Sequence, residues 1–338
     1  MKDALLWKKE GGAVRCLLCA HSCLIPAGGV GYCACRVNER GVLKTLTYGK
    51  STGFAMDPIE KKPFYHFHPG SAVLSFGTPG CTMRCLGCQN WHLSQSPRES
   101  RRAFDIPETM PAEIAAMAVR ELADGIAYTY SEPTIFFEYA RDTILETKKL
   151  DKKKFHVFVS NGFFSEQMWN LVTKEKLLDA IRIDLKSFSD AFYREYCGAR
   201  LEPVLESIKR VRKSKIHLEL ITLLIPGKND SAEEVRAISE WVAKLGKDVP
   251  LHFIRFFPQY KAGDLQATSE GALRGAKGIA EEAGLRYVYV GNLGGEDDTL
   301  CPRCGTKVIG RAGFSVVQNA LRGGKCPSCK TKIAGVWA

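Results

Sequence analysis

The residues best suited to chemistry in this 338-residue chain are its cysteines: of thirteen, eleven fall into three clusters at ligand spacing. The central cluster, 81-CTMRCLGC-88, sets Cys81, Cys85 and Cys88 in a C-x3-C-x2-C pattern after an apolar run, Ala72 to Phe76. Gly77, Pro79 and Gly80 mark a loop at the end of the strand that this run predicts. Three thiolates on one short loop can hold three irons of a cubane iron–sulfur cluster and leave the fourth iron open. An open iron can bind a substrate or cofactor directly, which a four-cysteine electron-transfer cluster cannot. The blander alternatives are a zinc knuckle short of one ligand, or scattered structural cysteines.

The other two clusters lie near the ends of the chain. Cys16, Cys19, Cys23 and Cys33 form C-x2-C-x3-C-x9-C, with His21 and Cys35 as substitute ligands. Four soft ligands close either a zinc site or a second iron–sulfur cluster, and spacing alone does not choose between them. Cys301, Cys304, Cys326 and Cys329 form C-x2-C-x21-C-x2-C, two CPxC knuckles facing one metal as in zinc ribbons. Such a tail buries little core, so the metal, expected to be zinc, would hold it folded. The first residues, MKDALLWKKEGG, contain no secretory apolar segment, so this cysteine content argues for metal ligation in the cytoplasm rather than disulfides. No apolar run approaches the roughly 20 residues of a membrane span, so no membrane partner is expected.

The elements that must position the central loop alternate from residue 72 to 290. Apolar, β-rich runs at 72–78, 126–131, 155–160, 181–185, 216–225, 251–257 and 286–290 are separated by helical patterns. Repeated strand-then-helix order predicts an α/β fold with a parallel sheet, closing as a partial (β/α) barrel whose sites lie at the C-terminal strand ends. The expected organisation is a cysteine-rich module at 1–50, a connector at 51–71, a core at 72–296 and a ribbon-like tail at 297–338. His66 and His68, in the connector's aromatic loop, read as hydrogen-bonded structural residues.

The net charge of +11 is unevenly placed. Residues 1–50 carry eight Lys/Arg against three Asp/Glu, residues 301–338 carry seven against none, and the remainder is near neutral. A solvated basic surface around thiolate sites explains this, and docking of an acidic partner or RNA is the sharper alternative. Asp184 and Lys186 share one face of a predicted strand, and two charges flanked by apolar residues are costly to bury unless they do work. Cys197 stands alone after a helical pattern, where a structural role outweighs that of a hydrogen donor.

The triplet resembles the cluster loop of radical S-adenosylmethionine (SAM) enzymes. In combination, 16-CLLCAHSCLIPAGGVGYC-33, 57-DPIEKKPFYHFHPGS-71, TYSEPT, DLKSF, RFFPQY and the CPRCG tail resemble the AmmeMemoRadiSam system branch of the activating-enzyme-like group. The resemblance implies a 4Fe-4S cluster on Cys81, Cys85 and Cys88 that cleaves SAM reductively to a 5′-deoxyadenosyl radical. It implies Glu132 at the SAM amino group, Ser160 and Asn161 at the ribose, and Asp184 and Lys186 as further SAM contacts. His252, on the sixth predicted strand, is expected at adenine or substrate. Gly87 stands where the family often has an aromatic residue, so adenine packing is expected from elsewhere, with Trp91 a candidate. A ferredoxin- or flavodoxin-like electron donor follows, with a protein as substrate. The alternatives are RNA or a small molecule as substrate, and a non-enzymatic metal-binding adaptor.

Overall fold

The computed structural model describes residues 1–293 and 297–337. The core boundary expected at residue 296 falls outside them. Eight strands form the central sheet in chain order: β1 (Thr52–Pro58), β2 (Ala72–Gly77), β3 (Gly125–Tyr128), β4 (Phe155–Ser160), β5 (Ala180–Asp184), β6 (His217–Leu224), β7 (Leu251–Arg255) and β8 (Val288–Gly291). β1 runs antiparallel to β2, and every later neighbour is parallel. The two edge strands do not pair with each other among the described residues, so the sheet stays an open partial barrel.

Each parallel crossover carries a helix, as right-handed β-α-β connection requires: α1 (Pro111–Arg120), α2 (Phe137–Leu150), α3 (Glu166–Lys174), α4 (Leu201–Arg212), α5 (Ala232–Leu245) and α6 (Glu270–Glu282). Serines start three of them. Ser165, Ser231 and Ser269 each accept a hydrogen bond from the backbone N–H three residues on. Alternation along the strands then sorts the faces. Ile126, Tyr128, Ile181, Ile183, Leu218 and Leu220 join the helices in the main core. Val73, Ala127, Val157 and Ala180 face the other way, onto Phe64 and Phe67.

Those two phenylalanines belong to the stretch expected as a mere connector. Instead, its first half is the edge strand β1 and its second half plugs the barrel floor. Pro58 can end β1 because an edge strand needs no partner on its outer side. Beneath the plug lies the ribbon, an antiparallel three-stranded sheet of Thr299–Leu300, Lys307–Ala312 and Ser315–Asn319. It docks through backbone: Val336 N donates to His66 O at 2.7 Å, and His68 N to Val336 O at 2.9 Å. Arg311, 1% exposed, puts its guanidinium 4.1 Å from the Tyr65 ring centre and donates to Tyr65 O at 2.7 Å.

The N-terminal residues make two small three-stranded sheets. They are anchored to α2 by a buried ion pair in which Arg36 Nη1 meets Glu138 Oε1 at 3.0 Å. The same carboxylate accepts from Leu5 N at 2.9 Å. No helix of the described residues is long and apolar enough to cross a membrane.

Candidate active site

The loop after β2 carries Cys81, Cys85 and Cys88, all partly buried, at the C-terminal end of the sheet. All thirteen cysteines are free thiols. Burial pushes the thiol pKa of Cys81 and Cys88 up, and neighbouring thiols add to the effect. Cys85 is pushed up by hydrogen-bonding contact with the Cys197 thiol and then by burial. Three such thiols lose their protons together only when cationic metal replaces them. Among the described residues, the three sulfurs do not all come within 4.8 Å of one another. Three free thiols on one loop, with no fourth on it, fit a cubane cluster that keeps one iron open.

Two turns hold the loop in place. Gly80 has φ +109°, and a Cβ there would lie 2.1 Å from Cys35 Sγ. Only glycine lets the N-terminal module approach the loop this closely. Gly87 is crowded in the same way, since a Cβ would lie 2.2 Å from Tyr196 Oη and 2.9 Å from Phe256 Cε2. The space beside Gly87 is thus filled by Tyr196, from the turn Tyr193–Cys197, and by Phe256, from beyond β7. The Tyr196 hydroxyl is buried with no hydrogen-bond partner among the described residues. Trp91 stacks on Tyr260, ring centres 5.1 Å apart.

The strand ends converge on this loop. Glu132, after β3, is buried and accepts four hydrogen bonds. Oε1 takes Thr134 N at 3.0 Å, Thr134 Oγ1 at 2.6 Å and Ser160 Oγ at 2.8 Å; Oε2 takes Asn161 N at 2.7 Å. A carboxylate offers about four lone-pair sites, two on each oxygen. Three of the four donors fall on Oε1 and one on Oε2, so Oε2 is the less committed oxygen. Burial raises the Glu132 pKa, and these donors oppose the shift. Asn161 in turn donates to Thr82 Oγ1 at 2.9 Å and reaches Cys81 Sγ at 3.5 Å. Glu132, Ser160 and Asn161 thus form one network on the cluster loop. Asn90 and Ser131 fasten the neighbouring turn, donating to Tyr130 O at 2.8 Å and Thr78 O at 2.7 Å.

At the end of β5, Asp184 lies between two cations. Its Oδ2 is 2.8 Å from Lys186 Nζ, and its Oδ1 pairs with Arg182. Burial works against ionisation of Asp184, but Arg182 and Lys186 outweigh it and hold the carboxyl below its usual range. Burial likewise opposes the charge on Lys186, and Asp184 with the thiols of Cys85 and Cys197 raises it. Lys186 therefore faces the cluster loop as a fixed cation. Arg182 was legible as the third inward residue of an i, i+2, i+4 series, but only the Asp–Lys pair was expected.

The structure does not bring His252 to this site. It lies on the inner face of the sheet but in the floor, with Nε2 2.8 Å from Glu219 Oε2 and its ring stacked on Tyr289. Glu219 is a buried hub that also accepts Tyr65 N at 3.1 Å and His66 N at 2.8 Å. An inward-facing residue can thus point to the sealed end of a barrel rather than the open one. Cys197 is fully buried behind Cys85, its carbonyl bonded to Arg84 N at 2.7 Å, which fits a supporting role.

At the chain's end, the four sulfurs of Cys301, Cys304, Cys326 and Cys329 all lie within 4.8 Å of one another. Together they could hold one metal ion. In the N-terminal module, Cys16, Cys19, Cys23 and Cys33 line one cavity. The substitute ligands are otherwise engaged: His21 Nε2 is 2.7 Å from Thr82 O, and Cys35 donates to Cys33 O at 3.2 Å.

A three-cysteine loop at the mouth of a partial (β/α) barrel defines a class, and the chain belongs to the radical SAM superfamily, whose family description matches residues 76–241. An uncharacterized protein of Methanocaldococcus jannaschii, MJ0808, is 39% identical over 341 residues, covering 98% of this chain and 99% of its own length. Among solved structures, a domain of pyruvate-formate lyase-activating enzyme from Bacteroides vulgatus is 18% identical with a TM-score of 0.43, covering 50% of this chain and 99% of that domain. A radical SAM methyltransferase from Sphaerobacter thermophilus is 14% identical with a TM-score of 0.48, covering 66% and 67%. The family implies a 4Fe-4S cluster and SAM, and cleavage of SAM by a radical mechanism.

Proposed function

We propose that this chain is a radical SAM enzyme that abstracts hydrogen from a protein substrate, in the manner of an activating enzyme. The observation that carries the SAM half of this reading is the convergence of Glu132, Asn161, Asp184 and Lys186 on one three-cysteine loop. When bound, the cluster and SAM together supply a 5′-deoxyadenosyl radical for hydrogen abstraction. The chain's own residues do the rest. Cys81, Cys85 and Cys88 hold the cluster. Glu132, through its less committed Oε2, would receive an ammonium N–H, and Lys186 would attract a carboxylate. Ser160 and Asn161 keep the loop in register with the Glu132 carboxylate. Tyr196 and Phe256, packed over Gly87, exclude water from beside the cluster loop.

The floor beneath is sealed, so substrate approaches from the cluster side. An acidic ferredoxin- or flavodoxin-like donor in the cytoplasm supplies the electron, and the basic N-terminal module, which meets the cluster loop, suits its docking. Zinc is the ion we assign to the C-terminal ribbon, since four mutually close thiolates satisfy its tetrahedral preference.

The test is anaerobic reconstitution with SAM and a strong reductant, with 5′-deoxyadenosine measured by mass spectrometry. Product that disappears in Cys85→Ala supports the reading. An intact cluster that neither binds nor cleaves SAM refutes it. Copurification with RNA that salt abolishes would move the substrate from protein to RNA.

A further inference from the structure

We infer that the N-terminal quartet Cys16, Cys19, Cys23 and Cys33 holds a second, fully ligated 4Fe-4S cluster rather than zinc, and that it is the electron entry to the SAM site. The electron-entry part rests on the radical SAM reading; the metal assignment does not.

Sulfur spacing makes the distinction. Around one zinc with Zn–S near 2.3 Å, tetrahedral sulfurs sit about 3.8 Å apart. The ribbon has that geometry, with Cys301 to Cys329 at 3.5 Å and Cys304 to Cys326 at 3.7 Å. Around a cubane each thiolate stands off its own iron, and the sulfurs are roughly 6 Å apart. Among the described residues, no three of the N-terminal ligand atoms lie within 4.8 Å of one another, and the same is true of Cys81, Cys85 and Cys88. The N-terminal quartet, like the radical SAM triplet, therefore lacks the compactness that the ribbon has for a single ion.

The cavity wall carries groups that suit a dianionic cluster. All four cysteines line it, together with Leu18, Ile25 and Arg36. Arg36 is 1% exposed; its two terminal nitrogens hold Glu138, while its Nε has no partner. A buried cation with a spare donor at the cavity wall complements thiolate sulfur. Tyr32 N already points to Cys23 Sγ at 3.4 Å, an N–H···S contact of the kind that tunes cluster potential.

The quartet's cavity also abuts the catalytic loop. Thr82, the residue after Cys81, lines it. Arg98 spans the join, donating to Cys81 O at 2.7 Å and to Tyr32 O at 3.2 Å. The step itself makes and breaks no bond. A reduced ferredoxin- or flavodoxin-like donor loses one electron, the N-terminal cluster takes it from the 2+ to the 1+ state, and it passes to the neighbouring SAM cluster.

The experiment uses the full chain reconstituted with iron and sulfide, with iron, sulfide and zinc counted per chain. Wild type is expected to hold about eight irons, and Cys81→Ala/Cys85→Ala/Cys88→Ala about four, with an electron paramagnetic resonance signal that SAM does not alter. Cys16→Ser/Cys33→Ser is expected to keep the SAM-sensitive signal with half the wild-type iron. It should cleave SAM with dithionite but lose at least tenfold in rate with flavodoxin. Four irons in wild type with a second zinc would overturn the metal assignment. An unchanged flavodoxin-driven rate in Cys16→Ser/Cys33→Ser would overturn the electron entry. Eight irons without any SAM cleavage would leave the cluster assigned and sink the proposed function instead.

Discussion

Gly80→Ala is the substitution that most directly tests how the N-terminal module meets the catalytic loop. The new Cβ would lie 2.1 Å from Cys35 Sγ, and the backbone is fixed at φ +109°. The strained backbone costs about 1–3 kcal/mol. Overpacking against a fully buried thiol adds a further 1–3 kcal/mol or so. Together they make about 2–6 kcal/mol, a large share of a typical domain's stability. Cys35→Ala alone removes one buried atom and is expected to cost about 1 kcal/mol. In the double variant the steric part is relieved while the backbone strain remains. Its cost should therefore fall short of the sum by about 1–3 kcal/mol. The assay is urea unfolding of the four proteins under anaerobic conditions, with iron per chain measured alongside. Costs that simply add would show that Cys35 does not pack on Gly80, and the approach of the module to the loop described above would be wrong.

Three other outcomes follow from the same structure. Asp184→Asn leaves Arg182 and Lys186 side by side without their counter-charge; we expect a loss of about 2–4 kcal/mol in urea and SAM binding at least tenfold weaker by calorimetry. The pH profile of stability should have two opposing limbs. His66 is lowered to about 3 by burial, so its contribution is complete above about 6.5 and is lost as pH falls towards 3. Glu60 is raised to about 7 by burial, so its contribution is complete below about 4.5 and is lost as pH rises through 7. Glu60→Gln should flatten the second limb, on the order of 1 kcal/mol per pH unit, and an unchanged profile would count against a buried Glu60. Cys326→Ser should release the ribbon ion and open residues 297–337 to trypsin while the iron content holds; a protected tail would mean that packing rather than metal keeps it folded.

Much of the core was legible because strand and helix periods are long and regular there. The run 181–185 became β5, and the run 216–225 became β6. β1 was missed because prolines and a mixed polar pattern hide an edge strand, whose pairing to β2 is a tertiary fact. The misplacement of His252 has a similar origin: alternation tells inside from outside but not top from bottom. Gly87 looked like a loss until Tyr196 and Phe256, far away in sequence, filled its space. The cysteine clusters were visible from spacing, yet the difference between one ion and several is a matter of ångströms between sulfurs, which only folded coordinates supply.

The ribbon under the barrel bears on how the enzyme matures. Chains emerge from the ribosome N-terminus first, so the sheet can assemble while its floor is still open to water. Glu60 and Glu219, both fully buried in the finished protein, lie in that floor, and Arg311 and the final residues close over it. Completion of the last forty or so residues, with their metal, is then the event that dries the interior. A chain arrested before residue 297 is expected to keep an open, hydrated floor, visible as fast amide exchange at Tyr65 and His66. Supply of one metal would thereby gate the readiness of a protein whose chemistry depends on another.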